Sequence, residues 1–133
     1  MNITEINAAG LIQAALLARE NSYSPYSHFR VGAALLCTDG KIYSGCNIEN
    51  RAYGPTNCAE RTAFFKAVSE GEREFLAIAI VGGEDAPVWC YPCGVCRQVM
   101  AEFCQADSFR VICARSVSEY KEYTLGELLP EMF

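Results

Sequence analysis

The sequence predicts a three-layer α/β/α fold, with helices on both faces of a mixed, roughly five-stranded sheet. Three observations predict it. Residues 31–37 and 42–46 are apolar runs separated by Thr38-Asp39-Gly40-Lys41, the pattern of a hairpin. Residues 75–81 form an unbroken apolar run, the mark of a strand covered on both faces. Three other segments carry apolar residues at helical spacing.

In chain order, residues 4–20 read as an amphipathic helix, with Thr4 as N-cap and Ala8, Leu11, Ile12, Ala15 and Leu16 on one face. Ser24-Pro25-Tyr26 opens a loop. The hairpin follows, and the polar residues Asn47-Ile48-Glu49-Asn50 stand at its exit. Residues 58–69 read as a second helix, with Ala63, Phe64, Ala67 and Val68 inward and Gly71 as its stop. After the 75–81 strand, Gly82-Gly83 begins a loop that runs to Tyr91. Residues 93–103 read as a third helix with Val99, Met100 and Phe103 inward. Residues 109–114 form another strand, and 120–124 a short last one. Thr124 and Glu127 have capping-box spacing for a final short helix. The 133 residues show no repeat or linker and are expected to form a single domain, 1–133.

Composition narrows the function classes. A chain 51% apolar and 20% charged has the makings of a packed core. No apolar run approaches the roughly 20 residues that cross a bilayer, so no membrane role is expected. The first residues carry neither a basic start nor an apolar signal core, which points to the cytoplasm. The net charge of −5, with no basic stripe, argues against nucleic acid and for a small neutral or cationic ligand.

Eight cysteines without a signal peptide favour metal or catalytic use over disulfides. Cys37, Cys46 and Cys113 lie in apolar, strand-like surroundings and Cys104 near a helix end, so these four read as core packing. Cys58, Cys93 and Cys96 differ. Cys93 and Cys96 are three residues apart at a helix start and share a face, and Cys58 opens the preceding helix. Helix N-termini stabilise thiolates. Spacing alone leaves open a redox pair, a structural zinc site with Cys90 or Cys46 as fourth ligand, and a catalytic zinc with an open position. Three thiolates on Zn²⁺ leave a net charge of −1, which Arg61 would help offset; otherwise Arg61 is a solvated helix charge. Glu60 is either an exposed helical glutamate or, beside a zinc-activated water, a proton carrier.

At this point the residues resemble a known family. Cys58-Ala59-Glu60 with Pro92-Cys93-Gly94-Val95-Cys96 is similar to the zinc-dependent cytidine deaminases in their three-cysteine form. Residues 24–35, Gly45-Cys46-Asn47-Ile48-Glu49-Asn50, Arg61-Thr62-Ala63, Cys96-Arg97-Gln98 and residues 127–133 extend the resemblance over nearly the whole chain. It implies hydrolytic deamination of cytidine and 2′-deoxycytidine by a zinc-bound hydroxide, in pyrimidine salvage. Its implied parts are one Zn²⁺ per subunit on Cys58, Cys93 and Cys96, Glu60 as proton carrier and Arg61 as the ligand-tuning arginine. It also implies Phe29, Asn47, Glu49 and Ala59 as substrate contacts, the first packing on the pyrimidine and the next two on the ribose. The implied assembly is a homotetramer in which Ala52, Tyr53 and Phe133 reach a neighbour's site.

Two stretches depart from the family pattern. Arg51 replaces a usually small residue near the cross-subunit sugar contact, and Trp89-Cys90-Tyr91 stands before Pro92 in place of smaller residues.

Overall fold

A computed structural model describes residues 7–133. The elements, in chain order, are α1 (Ala8–Arg19), β1 (Arg30–Cys37), β2 (Ile42–Cys46), α2 (Ala59–Ser69), β3 (Phe75–Gly83), α3 (Gly94–Phe103), β4 (Arg110–Ser116), β5 (Glu119–Thr124) and α4 (Leu125–Leu128). One five-stranded sheet has the order β2-β1-β3-β4-β5, in which β3 and β4 are parallel and every other pair is antiparallel. The parallel pair is joined through α3, as a crossover requires.

The sheet separates two apolar layers. Leu11, Ile12 and Ala15 of α1 pack on Ala34, Leu36, Ala77, Ala79 and Ile112. On the opposite face, Phe64 and Ala67 of α2 and Met100 of α3 pack on Ala33, Leu35, Ile78, Ile80 and Val111. Alternate residues of β1 and β3 therefore serve opposite layers. This is why residues 75–81 read as apolar without a break.

Several boundaries differ from the sequence reading. The first helix begins at Ala8, where the Asn7 side chain accepts the Gly10 amide at 3.0 Å; the expected cap Thr4 lies outside the described residues. Cys58 and Cys93 are N-caps, each with extended backbone, so α2 and α3 start one residue later than expected. Gly82 and Gly83, expected in a loop, continue β3 by pairing with Val31 and Arg30. Burial also corrects one detail: Cys37 and Cys113 are buried and the half-buried Cys104 packs against the core, but Cys46 is half-buried and lies outside it.

Other expectations hold. Gly71 has φ of 98° after α2, a conformation that suits a residue without Cβ. The Thr124–Glu127 capping box forms with both reciprocal bonds. No helix among the described residues is long and apolar enough to cross a membrane.

Candidate active site

The site forms where α2 and α3 start. Cys58 caps α2, Cys93 caps α3, and Cys96 lies in the first turn of α3. No side-chain hydrogen bond caps either helix, so both N-termini keep free amides and partial positive charge beside the sulfurs. The Cys58 and Cys93 sulfurs are 3.8 Å apart and those of Cys93 and Cys96 3.5 Å, with all three within 4.8 Å of one another. Three sulfurs bound tetrahedrally at about 2.3 Å would be about 3.8 Å apart, so the triangle fits a zinc ion. The Cys58 thiol is pushed down to about 5, stabilised as thiolate by Cys96 and, against its burial, by Arg61.

Arg61 lies in the first turn of α2, and its Nη2 donates to Cys58 Sγ at 3.2 Å. Burial works against its charge, but its bonds to the Cys58 and Cys96 sulfurs hold its pKa above the ordinary arginine value. Its Nε is buried without a hydrogen-bond partner. The exposed, solvated arginine is thereby ruled out.

Glu60 is also not the exposed glutamate it would be on an average helix. Only 4% of it is accessible, and burial pushes its carboxyl up to about 7. A carboxyl poised there both accepts and donates a proton near neutrality. It lines a cavity of about 250 Å³ together with Phe29, Asn47, Glu49, Ala59 and Cys58.

Cys90 does not join the sulfur triangle. Its thiol packs where Gly82 lacks a side chain: a Cβ on that glycine would sit 2.8 Å from Cys90 Sγ and 3.0 Å from the Phe29 ring. Burial pushes this thiol up to about 12. The structural-zinc arrangement closed by Cys90 is therefore not formed. Cys37, Asp39 and Glu72 make a second convergent group at the β1–β2 turn, away from both helix N-termini.

Asn47 and Glu49 face the cavity from an extended segment, with Ile48 between them bridging Tyr23 and Asn57. Both are already braced. Asn47 Oδ1 accepts from Ser22 Oγ at 2.5 Å and the Val31 amide at 2.9 Å, and its Nδ2 donates to the Phe29 carbonyl at 2.8 Å. Glu49 accepts from the Tyr26 and Ser27 amides and from Ser27 Oγ, which holds its pKa below the usual range. A carboxylate offers about four acceptor positions, so Glu49 retains capacity for a ligand hydroxyl. Ser22 and Ser27 escaped the sequence reading, because a serine in a Pro-containing loop carries no signal of what it will brace. Arg97 was quoted there only within a motif; it ties the Pro92 carbonyl, at 2.8 Å, to that of Leu128, at 2.6 Å.

Ala52, Tyr53 and Phe133 lie outside their own chain's cavity. Tyr53 is 92% exposed and lines an outer hollow with Tyr26 and Asn50; that hollow shares Ser27, Glu49 and Thr56 with the inner cavity. Ala52 and Arg51 line a further hollow beside it. Phe133 is fully exposed.

Three cysteine sulfurs at two helix N-termini, beside a buried carboxyl pushed up to about 7, make up a metal-assisted hydrolase on an α/β/α scaffold. Comparison with known proteins gives the family. Residues 6–113 match the cytidine and deoxycytidylate deaminase zinc-binding region. The chain is 56% identical over 123 residues to a cytidine deaminase of Sporosarcina psychrophila, covering 92% of this chain and 88% of that one. A cytidine deaminase of Halalkalibacterium halodurans is 55% identical, with 92% and 91% covered. The crystal structure of the Burkholderia pseudomallei cytidine deaminase superposes with a TM-score of 0.84 at 48% identity, covering 93% of this chain and 97% of that one. The chain belongs to the cytidine and deoxycytidylate deaminase family.

Proposed function

We propose that this chain is a zinc-dependent cytidine deaminase that converts cytidine and water to uridine and ammonia. The observation that carries it is the buried Glu60 carboxyl, which lines one cavity with Cys58 and Cys93 of the Cys58–Cys93–Cys96 sulfur triangle. The three cysteines hold one zinc ion, which supplies Lewis-acid activation of water at neutral pH. Glu60 takes the proton that the attacking water loses and hands it to ring nitrogen N3. It then carries the remaining proton of the hydroxyl added at C4 to the 4-amino group, so that the C4 carbonyl forms, the C4–N4 bond breaks and ammonia leaves. Arg61 withdraws charge from the Cys58 sulfur. Phe29 packs on the pyrimidine, Ala59 borders it, and Asn47 and Glu49 take the ribose hydroxyls. A carboxylate at the sugar disfavours an added phosphate, which suits a nucleoside.

In the same reading 2′-deoxycytidine is also a substrate, the role is pyrimidine salvage in the cytoplasm, and residues 1–133 work as one domain. The working form is a homotetramer in which Ala52, Tyr53 and Phe133 complete a neighbour's site. The exposure of Tyr53, which lines the outer hollow, and of Phe133 supports this, since bare aromatics call for a covering surface.

The test measures ammonia release from cytidine, deoxycytidine and CMP by the purified protein, with its zinc content. Turnover of both nucleosides with about one zinc per chain is expected. Glu60→Gln should keep zinc and fold and lose about 100- to 10,000-fold in turnover. Near-wild-type activity in that variant would remove Glu60 from the reaction.

A further inference from the structure

The segment that delivers Cys93 to the sulfur triangle has almost no backbone fastening. Val88 N donates to the Gly82 carbonyl at 2.8 Å, and the next backbone bond is Arg97 N to the Cys93 carbonyl at 3.0 Å. Among the described residues, no amide of residues 89–91 pairs with another backbone group. Yet this stretch forms part of the cavity wall, through Cys90 and Tyr91, and ends on the exposed thiol of Cys93.

Side chains fasten it instead, in alternation. Cys90 turns inward onto Gly82 and Phe29. Trp89 and Tyr91, on either side, turn the other way, toward the hairpin of β4 and β5. Lys121 Nζ of β5 lies 4.3 Å from the centre of the Trp89 ring and also donates to Tyr91 Oη at 3.3 Å. Arg115 of β4 contributes a second cation 5.5 Å from the same ring and is held in turn by Glu119 at 3.2 Å. The Tyr91 ring meets that of Tyr123 edge-on at 6.1 Å. Both cation distances lie within the range of attraction to an aromatic face.

We propose that Lys121 is a positioning residue for the metal site, gripping Trp89 and Tyr91 together so that Cys93 stays within reach of Cys58 and Cys96. The proposal rests on the reading of Cys93 as a zinc ligand and extends the site to a strand at the far edge of the sheet. It also gives the departure at residues 89–91 a purpose: Val88 is tied to Gly82 and the Pro92 carbonyl to Arg97, and the bulky aromatics provide handles for the stretch between those two ties. A single ammonium that engages residues i and i+2 at once fixes both the height and the tilt of the strand-like run before Pro92.

The experiment loads the full-length protein with zinc and follows transfer of the metal to a chromogenic chelator well below the melting temperature. Lys121→Met keeps the stem and removes the charge, so zinc release is expected to accelerate about tenfold, as for lost supports of a metal ligand. Lys121→Arg should restore slow release, because a guanidinium both faces the indole and donates to the phenol. Trp89→Phe should fall between, with a weaker aromatic face. General loosening of the fold would not be rescued by Lys121→Arg. Wild-type protein that holds no zinc would overturn the ligand reading and this proposal with it. Zinc-loaded Lys121→Met that releases metal at the wild-type rate would overturn the proposal alone.

Discussion

At the scale of single residues the problem is charge. In the proposed reading, three thiolates would overcompensate a divalent ion by one unit, which would oppose the activation of water beside them. The structure sets two helix N-termini and one guanidinium against that excess, with Arg61 Nη2 at 3.2 Å from Cys58 Sγ. Arg61→Gln should therefore retain zinc while turnover falls by about 10- to 100-fold and the pH–rate profile moves. An unchanged profile would count against charge compensation. Cys90→Ser makes the complementary case. Because Cys90 Sγ packs against Gly82 and Phe29, this variant should keep its zinc and lose roughly 1–3 kcal/mol of stability from an unpaired hydroxyl. Loss of zinc would instead revive Cys90 as a ligand. Metal analysis and thermal unfolding decide both variants. Residue types and spacing raised Cys58, Cys93 and Cys96 as one group, which the fold brings together, but left Glu60 open as an exposed charge or a proton carrier; only the family resemblance chose. The burial that tunes Glu60 was not legible, because it comes from the packing of α2 and not from its neighbours in the chain.

At the scale of elements the close approaches matter most. Gly32 of β1 lies so near α1 that a Cβ there would sit 2.0 Å from the Ala15 carbonyl oxygen and 2.5 Å from the Arg19 amide. Gly45 of β2 faces α2 in the same way, 2.6 Å from the Ala63 amide and 2.8 Å from the Ala59 carbonyl oxygen. Neither obstacle is a flexible side chain, so the helix itself would have to move. Gly45→Ala should push the start of α2 off the sheet and shift Cys58 with it. A stability loss at the upper end of roughly 1–3 kcal/mol, accompanied by weaker zinc retention, is expected. Gly32→Ala should cost as much stability but spare the metal, since α1 carries none of the sulfurs. Unfolding and metal content measured on both would separate the two effects, and identical zinc loss would contradict this assignment. The elements were legible because periodicity reports which face is buried. Their ends were less so: Cys58 and Cys93 have extended backbone as N-caps, and Gly82 and Gly83 stay in β3 only because β1 is there to pair with them.

At the scale of the molecule, one chain leaves the cavity open. The inner cavity and the outer hollow share Ser27, Glu49 and Thr56, and Tyr53, 92% exposed, lines the outer one; Phe133, at the chain end, is fully exposed. Bare aromatics are costly in water unless something covers them. In the proposed reading a neighbouring subunit does so and receives these side chains in its own site. The sequence suggested this only by resemblance, because no pattern within a chain records what will face it across an interface. The consequence can be tested by mixing. A chain with Tyr53→Ala and without Phe133 should turn over cytidine poorly, since it cannot complete its neighbours' sites, although its own Glu60 is intact. A Glu60→Gln chain should be inactive for the reverse reason, although its Tyr53 and Phe133 are intact. Dissociated and reassembled together, the two should form hybrid sites that pair an intact Glu60 with a neighbour's Tyr53 and Phe133, and part of the activity should return. Either protein refolded alone should stay as slow as before. If the mixture recovers nothing while light scattering shows that mixed oligomers have formed, these residues act within their own chain or not at all.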